Sequence, residues 1–139
     1  MHKRALRYWG RLAPRYNAAR LMFNSAVLDH FEHPRNTGEL LDATAVVEVT
    51  NPVCGDVLRL SIKREGDRIV AARFKTQGCV TAIASSSCLT EMIAGKTISE
   101  STQINSARIS EALGGLPPAT VHGAQLAVDA LRAVLSKLR

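Results

Sequence analysis

"VLRLSIKREGDRIVAARFKTQ", residues 57–77, decides the fold. Leu58, Leu60 and Ile62 alternate with Arg59, Ser61 and Lys63, so residues 57–63 form a strand with one face for a core and one for water. "REGD" (64–67) is a turn, and Arg68–Gln77 is expected to return as a further strand with Val70, Ala72 and Phe74 pointing inward. Upstream, "AVVEVT" (45–50) has the β-branched character of a third strand. Three consecutive strands joined by short connections predict an antiparallel meander.

On either side of this unit the period becomes helical. From Ala82 to Ala94 a broad stripe holds Ala84, Cys88, Leu89, Met92 and Ile93, and Gly95 closes it. A short helix over Ser106–Leu113 ends at Gly114-Gly115, and a longer one over Val121–Leu138 buries Ala124, Ala127, Val128, Leu131, Leu135 and Leu138. Before the strands, Asn24 or Ser25 can cap a helix carrying Val27, Leu28 and Phe31, which Pro34 stops; "HPRNTGEL" (33–40) is then a loop. The fold class is α+β, a small three-stranded antiparallel sheet with helices packed against it. The chain has no repeats and no low-complexity tract.

With 139 residues, 46% hydrophobic and 22% charged, the chain has the length and mixture of one globular domain. No apolar run approaches the roughly 18–20 residues of a membrane span. Three cysteines at irregular spacing do not make a secreted disulfide framework, and thiols free for metal or sulfur chemistry fit a reducing compartment. The net charge of +6 is local: residues 1–21 hold six of the 18 basic residues and no acid, which leaves 12 basic against 12 acidic in the rest. On a helix Lys3, Arg4, Arg7 and Arg11 would share one face, with Leu6, Trp9 and Leu12 broadly opposite, until Pro14 limits it. Such an extension suits an organelle transit peptide, a helix on an anionic surface, an added docking helix or an upstream start. Location is therefore expected to be the bacterial cytoplasm, or an organelle matrix if residues 1–21 are a transit peptide. Nucleic-acid binding would need basic and aromatic residues spread over the domain itself, and none is expected.

Three short stretches carry the chemistry. In "NPVCGD" (51–56) Gly55 lets the chain bend between two strands and aims the Cys54 thiol and the Asp56 carboxylate out of the sheet end. In "TQGC" (76–79) Cys79 follows Gly78 just before a helix N-terminus, where unpaired N–H groups favour a thiolate. In "LPPATVHGAQLAVDAL" (116–131) His122 opens a helix behind Pro117-Pro118. Cys88 sits inside an apolar stripe and reads as a small core hydrophobe, and His30 and His33 read as surface or packing residues.

Together with "VLDHFEHPRNTGEL" (27–40) and "ARFKTQGCVTAIASSSCLTEMIAGK" (72–96), these stretches give the chain, from about Met22 onward, a resemblance to the NifU/IscU-like iron–sulfur cluster assembly scaffold family. The family's fold, a small antiparallel sheet with helices on it, agrees with the pattern above. Residues 1–21 lie outside the resemblance, which makes 22–139 the scaffold domain. The family builds its metal or cluster site from three cysteines, a histidine and an aspartate. The resemblance gives Cys54, Asp56, Cys79 and His122 as metal ligands, with Cys54 and Cys79 as candidate sulfur acceptors. The third cysteine would follow the histidine, where this chain has Gly123. On ligand strength alone, Gly123→Cys should supply the missing thiolate and lengthen the life of a bound cluster, with steric crowding as the risk if the glycine is kept for the close approach of another group.

The resemblance implies a scaffold, not an enzyme, that binds iron and sulfide or a [2Fe–2S] cluster and transfers it to apo iron–sulfur proteins. Its sulfur would come from a cysteine desulfurase as persulfide. Two thiolates, an imidazole and a carboxylate can equally complete a tetrahedral zinc site, which gives the alternative of a zinc-dependent sulfur acceptor. A degenerate regulatory homologue is the third reading, and a Cys54/His122 hydrolase lacks any oxyanion-hole motif. "LPPAT" ends on Thr120 where well-studied members have a basic residue, which counts against docking of a dedicated Hsp70-type chaperone.

Overall fold

The computed structural model describes residues 23–138; the basic segment 1–21 lies outside them. Helix α1 (Ser25–Glu32) is followed by strands β1 (Ala45–Thr50), β2 (Val57–Glu65) and β3 (Arg68–Gln77). Helices α2 (Val80–Ile93), α3 (Ile98–Ser101), α4 (Ser106–Ala112) and α5 (His122–Ser136) complete the order, with a 3-10 turn at Pro118–Thr120. The sheet is the expected antiparallel meander, β1-β2-β3. Leu58, Leu60 and Ile62 on β2 are wholly buried and meet the helices, as their alternation requires. Among the described residues no helix is long and apolar enough to cross a membrane.

On β3 the alternation differs from the expectation at one residue. Lys63 pairs with Ala71 and Arg64 with Ile69, so Val70 is an extra residue opposite a single step of β2. Such a bulge reverses the parity of everything beyond it. Ala72 and Phe74 point inward as expected, but Val70 is 41% exposed and Ile69 takes the core position at 0%. The outer edge of β3 is also covered. Gly38 and Asn36 bond to Phe74, and Lys96 and Gly95 bond to Ile69, which protects an otherwise open edge.

Helix α2 is buried on nearly all sides, not along one stripe, because α1, α5 and β3 all pack on it. Its small polar residues are tolerated there through local hydrogen bonds. Ser86 Oγ donates to the Ala82 carbonyl at 2.7 Å and Thr90 Oγ1 to the Ser87 carbonyl at 2.7 Å. Ser87 Oγ also accepts from the Arg35 amide at 2.9 Å and lies 2.8 Å from His30 Nδ1, which ties α1 and its following loop to α2. Asn24 caps α1 by accepting from the Val27 amide at 3.0 Å. Its amide also donates to the Gly115 carbonyl at 3.2 Å, which joins α1 to the loop after α4. His33 is exposed and His30 is a packing residue.

Two predictions follow from this packing. Ile69→Ala should cost about 2–5 kcal/mol in a urea titration, whereas Val70→Thr should stay within about 0.5 kcal/mol of wild type. The reverse order would mean that the bulge is misplaced. Burial, and behind it the Arg35 charge, holds the His30 pKa below its usual value against the pull of Glu91 and Asp29. The unfolded chain therefore binds the proton first, and the stability contributed by neutral His30 is lost as pH falls from 6.5 through the depressed folded value. His30→Gln should flatten the fall in unfolding midpoint between mildly alkaline and mildly acidic buffer; an unchanged slope would exclude His30 as its source.

Candidate metal centre

The loop from β1 to β2 is built on its first residue. The Asn51 amide donates to the Asp56 carbonyl at 2.8 Å, and the Asn51 carbonyl accepts from the Gly55 amide at 2.8 Å. Gly55 has φ +77°, which a side chain would resist. Between these bonds Cys54 is exposed at the loop tip, while Asp56, at the root, is only 8% exposed. The chain thus presents a thiol outward and a carboxylate inward within three residues.

The inward carboxylate meets the start of α2. Cys79 is the N-cap residue, and its amide points at Asp56 Oδ2 at 3.4 Å. Gly78 makes this approach possible, because a Cβ there would lie 2.7 Å from Asp56 Cγ and 2.9 Å from Oδ2. The third element enters from α5, whose first residue is His122. One ligand atom each of Cys54, Asp56 and His122 lies within 4.8 Å of the other two. Cys79 Sγ is not one of this mutually close trio but lies 3.4 Å from His122 Nε2. All four expected ligands therefore gather at one end of the sheet. The fourth member of the set enters through its contact with the histidine.

This donor set fits a metal. Zinc–ligand bonds of about 2.0–2.3 Å give tetrahedral edges of roughly 3.3–3.8 Å, so the trio needs to contract by about 1.5 Å at most. Two sulfurs, one nitrogen and one carboxylate suit zinc or iron better than a hard cation such as magnesium.

Cys79 differs from expectation in its acidity. Burial raises its pKa, and the Asp56 charge and hydrogen bond add to the rise, while the amides of Ala82 and Thr81 offset it only in part. The helix terminus does act on the sulfur, but desolvation beside a carboxylate outweighs it. Cys88 is buried as expected, its thiol pushed up to about 11 by burial and placed 3.7 Å from the Met92 sulfur.

Gly123 is a second difference. A Cβ there would fall 2.6 Å from both the Ala82 nitrogen and the Thr81 carbonyl carbon. The α5 backbone rests directly on the first turn of α2, so the position has no room for the thiolate that ligand counting assigns to it. Sequence reasoning allowed for a close approach at this glycine without identifying α2 as the neighbour. It missed the tasks of Gly78 and Asn51, for which the only signals were a glycine before one cysteine and an Asn-Pro pair before the other.

Comparison with known proteins gives consistent matches. The family model described as the NifU-like N terminal domain matches residues 22–139. The iron–sulfur cluster assembly scaffold protein IscU 1 of Archaeoglobus fulgidus is 50% identical over 111 residues, which cover 80% of this chain and 72% of that protein. The IscU scaffold protein of Aquifex aeolicus is 46% identical over 115 residues, covering 81% and 73%. Among solved structures, the N-terminal part of a nitrogen-fixing NifU-like protein from Brucella abortus superposes with a TM-score of 0.68 over 83% of this chain and 92% of that one. At 18% identity that likeness concerns the fold.

The packing at Gly123 yields a prediction opposite to the ligand-counting expectation. Gly123→Cys should lower stability by about 1–3 kcal/mol by forcing α5 away from α2, read as a shift in urea midpoint. A variant as stable as wild type would show that the helices separate without cost.

Proposed function

The chain belongs to the NifU-like N-terminal domain family, and on that premise we propose that it is a scaffold on which iron–sulfur clusters are assembled and passed to apo-proteins. The observation that carries the proposal is the convergence of Cys54, Asp56 and His122 within 4.8 Å, with Cys79 in contact with the histidine. Residues 22–139 form the scaffold domain in this reading, and residues 1–21 are an extension to it. Iron and sulfide are cargo held by these four residues.

Sulfur delivery follows from exposure. A cysteine desulfurase carries its sulfur as a persulfide, and a scaffold thiolate attacks the terminal sulfur. The S–S bond breaks, the donor's cysteine leaves as a thiolate, and the scaffold keeps the new persulfide. Cys54 is exposed at a loop tip, flanked by Val53 at 94% exposure, so it meets a macromolecular donor first. Cys79 is half-buried with a raised pKa, which suits a ligand more than a first acceptor. Asp56 is a harder ligand than a thiolate, and cargo held partly by carboxylate is released more readily. Position 120 is a threonine, whose hydroxyl donates to the Pro117 carbonyl at 2.7 Å, where a basic residue would be needed to offer a chaperone positive charge.

The zinc-dependent sulfur acceptor uses the same donors, and one experiment separates the two. Anaerobic reconstitution with iron and sulfide should give the absorption and Mössbauer signature of a cluster. Cys54→Ser and Cys79→Ser should each abolish it, while Cys88→Ser should leave it largely intact. Stable zinc binding with no cluster signal would favour the sulfur acceptor. Loss of the cluster in folded Cys88→Ser protein would show that Cys88 has replaced the missing ligand.

A further inference from the structure

The tip of the β1–β2 loop has no packing to hold it. Pro52, Val53, Cys54 and Gly55 are all exposed, and only the ends of the loop are partly or wholly buried. A thiol on such a loop would ordinarily wander through many positions. Here four hydrogen bonds run within the loop, and all four have Asn51 as one partner. Two are main-chain bonds, to Asp56 and Gly55. The other two converge on the side-chain oxygen, which accepts from the Val53 amide at 2.9 Å and, at a longer 3.4 Å, from the Cys54 amide. This is the Asx turn by which an asparagine fixes the backbone two residues on.

We propose that Asn51 is the positioning residue of the site: its side-chain oxygen holds the Val53–Cys54 backbone so that the exposed Cys54 thiol stays beside Asp56 and His122. This rests on the reading of those residues as metal ligands. Asn51 touches no cargo and acts through Cys54. Its side chain supplies order that burial supplies for Asp56, and without it the loop must be ordered at the moment of binding. Partners that orient ligating residues commonly govern affinity by about 10–100-fold.

The test uses the full chain and cobalt(II) as a probe for the site. The thiolate-to-cobalt absorption band reports whether Cys54 is engaged, and Cys54→Ser is the control for that band. Asn51→Ala removes the acceptor and leaves both main-chain bonds possible. Asn51→Asp keeps an oxygen in the same place. Asn51→Ala should weaken cobalt binding about tenfold with an unchanged melting midpoint, and Asn51→Asp should restore it. In the metal-free protein, hydrogen exchange at the Val53 and Cys54 amides should be faster in Asn51→Ala and near wild type in Asn51→Asp. Wild-type affinity and exchange in Asn51→Ala would overturn the proposal, as would a fall in melting midpoint that accounts for the lost binding. If wild type gives no Cys54-dependent band, the metal-site reading itself fails; the exchange rates then still decide whether Asn51 orders the loop.

Discussion

Everything at the site depends on how closely the start of α5 lies against the start of α2. The two helices meet backbone to backbone, with room at position 123 for hydrogen and nothing larger. That approach brings His122, one residue earlier, within 3.4 Å of Cys79 at the cap of α2. Cys54, on the loop tip, is the exposed cysteine of the site and Cys79 the half-buried one. A similar economy operates at Gly78, where the absent side chain makes space for the Asp56 carboxylate. Two glycines thus set two of the distances on which the donor cluster rests.

The rest of the molecule keeps those helix ends in place. α2 runs through the middle of the domain with α1, α5 and β3 around it, so its first turn is held from several directions. Its serines and threonines allow close approach and satisfy themselves largely on the helix's own carbonyls or on the Arg35 and Asn36 segment. Ser85 is the exception on α2, and among the described residues Ser101 of α3 is the other side chain that buries a hydroxyl with no partner in the protein. Such groups cost stability, and small size at a helix crossing is what that cost sustains in a domain of this kind.

The two site cysteines are placed under different physics. Cys54 owes its position to hydrogen bonds within an exposed loop, and water reaches it. Cys79 owes its position to a helix cap and is half-withdrawn from water beside a carboxylate, which raises its pKa. In the proposed function, an outer thiol for exchange and an inner one for holding would suit receiving sulfur and then keeping it. The opposite assignment would ask the less accessible thiol to meet a protein partner.

The sequence by itself determined the meander and every α-helix but the short α3, whereas the four residues that gather were named through the family resemblance. The strands and helices depend on side-chain period, turn residues and helix caps, which are local and leave their pattern in neighbouring letters. It did not determine that Val70 faces outward, because a bulge is a matter of pairing between strands and β3 alone alternates equally well either way. It gave the wrong sign for Cys79, since the helix terminus is visible in the letters and the burial beside Asp56 is not. Gly123 shows the division most clearly. As a letter it is an absent ligand, and in the fold it is the contact surface of two helices, because only packing reveals what occupies the space a side chain would need.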